Sequence, residues 1–359
     1  MTRVPVTVIT GLDAEAMAAM TVSLQWDLSR AVVVRHTIDA AASRLHRMVS
    51  DVTGIVEEAW TDLEHACTSC ALREDILPTL GRLAGSGNWD SIIAHLPVTA
   101  EALQVCRSIA LNERLRSHLA LANVITVLNG ETVRDDLLGD DLLRERGLAT
   151  SDDDSRGVGE VACAMVEYAD LIVAGDRLDT PERELLDTLR RPDAVVISGG
   201  QVADRTTLVA GLHDHQRSEA WIATARREPG PDFTGEHAWT IDLSSWRPFH
   251  PGRLLANIEA LGGGARRIRG CFWVPTRPYD VGEWDGAGGQ VSVGIVGSWR
   301  GTDPLTRLIV TGLDDDRDTL REVFEDTLLS NEELSSGIGG WAGQSDGLEP
   351  WLGEIDGAA

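Results

Sequence analysis

A short stretch with two cysteines is the part of the sequence best suited to hold a metal ion. Glu64 and His65 precede Cys67 and Cys70, which have the spacing Cys-x-x-Cys directly ahead of a helix-like segment. Two thiolates at this spacing can share one Zn²⁺, and the N-terminus of the following helix would lower their pKa values. We therefore predict a zinc site at Cys67 and Cys70, assisted by His65 or Glu64. A redox pair and two inert thiols remain alternatives, because this motif is half of a structural zinc site.

The turn after the first apolar run, Gly11–Ala19, occupies the place where a phosphate-binding loop would lie. Such a loop needs glycines, a lysine for charge and a hydroxyl for Mg²⁺. Only Gly11 is present; Asp13 would repel a phosphate, and Met17 and Ala18 offer neither a cation nor a metal ligand. The whole sequence contains no lysine. These residues predict a helix cap without a bound nucleotide, and we assign no catalytic residue.

Two segments of the second half combine arginine and tryptophan, the residue types that often dominate binding energy at protein interfaces. They are Trp246–Arg253 and Arg266–Trp273. The alternative is an arginine-bearing strand whose aromatic residues are core. The predicted partner-binding residues are Arg253, Arg266, Arg267, Arg269 and Trp273.

The remaining histidine and cysteine residues give weaker signals. His213-Asp214-His215 would be a solvated loop or an addition to a metal site. The other three cysteines lie in apolar contexts and are predicted to be core, namely Cys106, Cys163 and Cys271.

Charge and composition restrict the classes of partner. The 359 residues include 57 acidic and 32 basic side chains, a net charge of −25, which disfavours non-specific contact with nucleic acid or anionic lipid. No 18-residue apolar run and no charged-then-apolar leader is found, and the five cysteines are an odd number. We therefore expect a cytoplasmic protein in a reducing compartment.

The elements that position these residues follow from hydrophobic periodicity. Short β-branched runs alternate with helical segments as far as about residue 198, which predicts a mostly parallel sheet covered on both faces. A segment around Val52–Val56 lies between two of these elements. Strand-like runs after residue 237 suit a small α+β domain with an antiparallel sheet. The predicted organisation is a first domain at 1–212, a linker at 213–236, a second domain at 237–330 and a Gly/Trp/acidic tail at 331–359.

Taken in order, several segments resemble the CobW family of P-loop GTPases over nearly the whole length. The segments that carry the resemblance are Pro5–Gly11, Cys67–Pro78, Arg247–Leu254 and Arg269–Trp273. The resemblance implies an α/β fold, with a P-loop-NTPase-like, mostly parallel sheet domain followed by a smaller α+β CobW C-terminal domain.

The sequence departs from the family pattern at each nucleotide motif. The Gly-Lys-Thr loop falls on Gly11–Ala19, the Glu-x-x-Gly switch on Ala94–Val98 and the guanine-reading motif on Gly175–Leu178, and none is retained. The family's Cys-x-Cys-Cys motif has Ser69 in the place of its middle thiol. The resemblance therefore implies a pseudo-GTPase that is not an enzyme and binds no GTP.

Family members without these motifs resemble mycobacterial factors linked to zinc limitation and ribosome hibernation. This implies an adaptor that recruits a protein-Y-type hibernation factor, with that factor and the small ribosomal subunit as partners. The alternative is a zinc metallochaperone or zinc sensor that uses Cys67 and Cys70.

Overall fold

The computed structural model describes residues 3–151, 153–175, 177–198, 211, 213–228, 233 and 235–355. They form two compact units. Unit 1 comprises Met1–Val133, Asp141–Asp179 and Leu189–Ile222, and unit 2 comprises Arg134–Asp140, Thr180–Thr188 and Ala223–Ala359. No helix among these described residues is long and apolar enough to cross a membrane.

Unit 1 is built on a mostly parallel sheet. In the described residues its strands are β1 (Val4–Gly11), β2 (Ala31–Asp39), β3 (Arg44–Asp51), β4 (Gly54–Asp62), β5 (Ser91–His95), β6 (Leu119–Leu128), β7 (Leu171–Ala174) and β8 (Val195–Ile197). Their order is β4-β3-β2-β5-β1-β6-β7-β8. All neighbouring pairs are parallel except β2–β3 and β3–β4. The predicted α/β class is confirmed.

Helices cover both faces of this sheet, because successive strand residues point to opposite sides. The helices of unit 1 in this part of the chain are α1 (Ala14–Asp27), α2 (Thr68–Ala71), a π turn (Leu72–Ile76), α3 (Leu77–Ser86), α4 (Ala102–Leu111), α5 (Glu113–His118) and α7 (Val158–Tyr168). Helices α6 (Val133–Leu138) and α8 (Thr180–Leu189) lie almost wholly in unit 2. Val6 and Val8 pack in one core with Leu80 of α3, whereas Ile9 packs in the other with Met17 of α1.

Unit 2 contains an antiparallel sheet, as predicted. Its strands are β9 (Trp239–Ser245), β10 (Arg266–Phe272), β11 (Asp280–Ala287), β12 (Gln290–Ser298) and β13 (Thr306–Gly312), in the order β12-β11-β10-β13-β9. Every neighbouring pair is antiparallel. Helices Pro251–Gly262 and Arg317–Thr327 contribute Leu254 and Phe324 to its core.

Two strands were not predicted. Strand β3 was missed because its many charged residues hide an antiparallel hairpin, in which the segment Val52–Val56 forms the turn and the start of β4. Strand β11 was missed, since its Gly, Asp and Glu residues resemble a loop; tertiary pairing with β10 and β12 makes it a central strand.

The predicted linker and tail also contain regular structure. Residues 213–222 of the linker lie in unit 1 and include the helix His215–Ile222. The tail includes the helices Asn331–Ser335 and Glu349–Leu352, and Leu352 joins the core of unit 2. Trp341 contacts His250 edge to face at 5.3 Å, so the tail is packed on this unit.

Candidate functional site

The segment with the two cysteines places potential metal ligands together. One oxygen of Glu64, the sulfur of Cys70 and one oxygen of Glu74 lie within 4.8 Å of one another. In the described part of the chain, these three side chains are the one set of at least three potential ligands close enough to hold an ion. Thiolate and carboxylate donors both suit Zn²⁺. We call Glu64, Cys70 and Glu74 the ligand group.

The predicted ligands Cys67 and His65 lie beside the ligand group but are not part of it. Cys67 caps the short helix α2, with its sulfur 3.5 Å from the backbone N–H of Cys70. The side chain of His65 is exposed, and its backbone makes a hydrogen bond with the Cys70 thiol. Sequence reasoning missed Glu74, although its place four residues after Cys70, about one helical turn, was the available signal.

The thiol of Cys70 does not have the lowered pKa that the helix N-terminus was expected to produce. Burial raises its pKa, and the neighbouring Cys67 thiol adds to this, against the opposite effects of the His65 backbone and the Arg73 charge. Desolvation disfavours the charged thiolate more than the His65 backbone and the Arg73 charge stabilise it. Metal binding at Cys70 must therefore release a proton.

A buried ionic network anchors the helical segment that carries Cys70 and Glu74. Asp75, 4% exposed, lies in the π turn. His36 Nε2 donates to one of its oxygens at 3.0 Å, and Arg47 donates to the other. The hydroxyls of Thr61 and Thr79 each donate to it at 3.1 Å.

The electrostatics of this anchor favour an ionised Asp75. Burial by itself would raise its pKa, but the hydrogen bonds and charges of His36 and Arg47 outweigh burial and lower the pKa below that of free aspartate. Strands β2 and β3 supply these two partners. The sheet thus fixes the orientation of the turn next to the ligand group.

The predicted helix cap at the phosphate-loop position is confirmed. The carboxylate of Asp13 accepts the backbone N–H groups of Glu15 and Ala16 at 2.9 and 3.0 Å. Its other oxygen accepts from the side-chain amide of Asn129 at 3.1 Å. These are the N–H groups that a phosphate would use at a helix N-terminus.

Two other residues of the segment Gly11–Ala19 are packed in the core. Met17 is fully buried, and a Cβ at position 11 would lie 2.5 Å from the carbonyl oxygen of Val127, so only glycine fits there. Ala18 is half-buried in α1. Asp176 in the predicted base-reading loop lies outside the described residues.

The residues predicted to bind a partner are mostly interior, which corrects that prediction. Arg266 and Arg267 are 7% and 3% exposed, and Trp273 is 7% exposed. Arg253 pairs with Glu333 at 2.8 Å, and Arg269 lies in the middle of strand β10. The side chains of Arg266 and Arg267 form ion pairs across their own unit, and their charges do not form an exposed basic patch.

Carboxylates within unit 2 are the partners of these arginines. Arg266 faces Asp314 and Asp316 at 3.8 and 3.4 Å, and Arg267 pairs with Asp285. A local sequence window could not reveal this, because the acidic partners lie on other strands and loops.

The histidine pair is not a solvated loop. The side chain of His213 is fully buried, with Nδ1 3.0 Å from an Asp170 oxygen. The hydroxyl of Tyr168 lies 3.4 Å from His213 Nε2 and 3.1 Å from His215 Nδ1. Both histidines therefore hold the helix His215–Ile222 to unit 1. The predictions for Cys106, Cys163 and Cys271 as core residues are confirmed.

Comparison with known proteins places the chain in a family. The model of the CobW/HypB/UreG nucleotide-binding domain matches residues 21–211, and that of the cobalamin synthesis protein cobW C-terminal domain matches residues 238–328. A zinc chaperone of Mycobacterium tuberculosis is 30% identical over 286 residues, which are 75% of this chain and 68% of that protein.

More distant similarities were also found. The zinc-regulated GTPase metalloprotein activator 1 of Dictyostelium discoideum is 23% identical over 261 residues, 67% of this chain and 55% of that protein. The crystal structure of the Zn(II)-bound YjiA GTPase from E. coli aligns at 15% identity over 91% of this chain and 99% of that one, with a TM-score of 0.37. On the two domain matches and the mycobacterial relative, this chain belongs to the CobW family.

Proposed function

We propose that this protein binds one Zn²⁺ at the ligand group and carries it without turning over GTP. The observation that carries the proposal is the convergence of a thiol and two carboxylates, from Glu64, Cys70 and Glu74, within 4.8 Å. Cys67, one helical turn before Cys70, is the nearby fourth donor in our proposal. The names of the mycobacterial and Dictyostelium relatives, which refer to zinc, support this choice of metal.

Zinc stoichiometry of the purified, reduced protein tests the proposal. We expect one Zn²⁺ per chain, measured by elemental analysis after gel filtration and by competition with a chromophoric chelator. Cys70→Ser should abolish binding, and Glu74→Gln should weaken it. Cys271→Ala, which removes a buried thiol of unit 2, is the matched control and should bind like the wild type. Wild-type stoichiometry in Cys70→Ser would refute the site.

We further propose that the family's nucleotide site has been replaced by an internal cap. Asp13 already accepts two N–H groups at the start of α1, and its charge would repel a phosphate. The family match begins at residue 21, beyond this segment. Calorimetry with GTP and Mg²⁺ should detect no binding; a dissociation constant in the micromolar range would contradict the proposal.

An adaptor role in ribosome hibernation is our second, finer proposal. It rests on the resemblance to zinc-limitation factors and on the capped helix, which suits a scaffold without a nucleotide cycle. Arg266, Arg267 and Trp273 are buried. We therefore assign the contact with the hibernation factor to Trp246, which is 67% exposed and lies in the predicted binding segment Trp246–Arg253.

Direct binding to a purified protein-Y-type hibernation factor tests this second proposal. Trp246→Ala should weaken the complex measured by interferometry. Tyr279→Ala, which removes a similarly exposed aromatic ring of unit 2, should not. Absence of binding by the wild-type protein, with and without Zn²⁺, would exclude the adaptor role and leave the zinc proposal intact.

A further inference from the structure

One arginine lies at the centre of the ligand group. Nη2 of Arg73 is 3.0 Å from an oxygen of Glu74, 3.3 Å from an oxygen of Glu64 and 3.9 Å from the sulfur of Cys70. The three contacted residues are the three members of the ligand group. A single guanidinium nitrogen thus contacts all three members of the ligand group.

A metal ion and this nitrogen cannot share the position. Zinc coordinates sulfur at about 2.3 Å and carboxylate oxygen at about 2.0–2.2 Å, which places the ion in the space between the same three side chains. A divalent cation next to a guanidinium would also be repelled by it. Binding of Zn²⁺ therefore requires the side chain of Arg73 to move away.

The surroundings of Arg73 allow that movement. Its side chain is 65% exposed, and that of Glu64 is 69% exposed, so rotation into solvent opens the site without disturbing the core. Ion pairs this exposed are screened by water and are weak. A metal ion can thus displace the contacts of Arg73.

We propose that the guanidinium of Arg73 competes with zinc for Glu64, Cys70 and Glu74. By taking the place of the metal, it weakens zinc binding and speeds zinc release. The inference rests on the proposed zinc function of this site. For a carrier, an internal cation that returns to the ligands compensates their charge as the metal leaves.

The charge of Arg73 sets the size of the expected effect. A single positive charge about 5 Å from a divalent ion, in water-like surroundings, changes the binding constant by roughly tenfold. Neutral Arg73→Gln should therefore bind Zn²⁺ about tenfold more tightly and release it more slowly. Arg73→Lys keeps the positive charge and should restore most of the wild-type affinity.

The experiment compares zinc affinity and release in full-length, reduced protein. Affinity is measured by competition with a chromophoric chelator, and release by the rate of metal transfer to excess EDTA. Arg82→Gln is the control, since Arg82 is 52% exposed and pairs with Glu57 outside the ligand group. It should change neither quantity, whereas Arg73→Gln should change both.

The outcomes separate this inference from the function on which it rests. If the wild type binds zinc through Cys70 but Arg73→Gln binds equally or more weakly, Arg73 is no competitor and the zinc proposal stands. Equal tightening in Arg82→Gln would reduce the effect to overall charge and likewise overturn the inference. If neither the wild type nor Arg73→Gln shows Cys70-dependent binding, the proposed function itself fails.

Discussion

His95 makes the stability of unit 1 depend on pH. It lies at the end of β5, is 2% exposed and has its Nδ1 2.8 Å from the hydroxyl of Thr21. Burial, followed by the positive charges of Arg35 and His36, lowers its pKa from 6.5 to about 4. The neutral ring is thus favoured in the folded protein, whereas the unfolded chain takes up a proton at higher pH.

The sign and size of the effect follow from linkage. Because the folded pKa is depressed, the stabilisation is fully present above pH 6.5 and is lost as the pH falls towards 4. At about 1.4 kcal/mol per pH unit, the whole effect is roughly 3 kcal/mol, and roughly 2 kcal/mol of it disappears between about pH 7.5 and about pH 5.

Urea unfolding followed by circular dichroism at several pH values measures this loss. His95→Asn keeps a polar group near Thr21 but does not titrate, so its free energy of unfolding should fall by roughly 2 kcal/mol less than that of the wild type over the same interval. His118→Asn, at the partly exposed end of α5, is the control and should follow the wild type. Parallel curves for the wild type and His95→Asn would refute the reasoning.

Three further changes test the packing. Asp13→Ala should lower the free energy of unfolding by about 1 kcal/mol, because α1 loses its N-cap acceptor; no loss in urea unfolding would contradict the cap. Gly270→Ala should lower the yield of folded protein, since its Cβ would overlap a backbone carbonyl. Gly294→Ala, whose Cβ enters open space, should give the wild-type yield. Asp346→Ala should destabilise unit 2 by about 3–5 kcal/mol, because it leaves the buried Arg277 unpaired; a melting temperature within one degree of wild type would be inconsistent with this.

The candidate site was only partly predictable from the sequence. Cys70 and Glu64 were expected near a metal because they lie in one short segment, and the structure places both in the ligand group. Glu74 and Arg73 follow on the same helical segment, but which face they share with Cys70 depends on the π turn at Leu72–Ile76. Sequence spacing alone does not reveal such a turn.

The main error of the sequence-based prediction was to expect the arginines of the second half at the surface, and this error has a physical reason. An arginine-rich strand such as Arg266–Phe272 indicates an exposed basic surface as long as its partners are unknown. The acidic residues that neutralise Arg266 lie at Asp314 and Asp316, nearly fifty positions away in the sequence. Only folding brings these charges together, and it converts the predicted surface into an interior network.

The sequence by itself determined the fold class and many of the elements, because apolar alternation and β-branched runs act locally and recur along the chain. It also indicated the capped turn at Asp13, since a cap depends on residues within one helical turn. The tertiary structure alone decided which donors surround Cys70, that Arg73 lies among them, and that Asp75 anchors their turn to strands β2 and β3. These features depend on distances between segments, which become defined when the sheet and its covering helices pack.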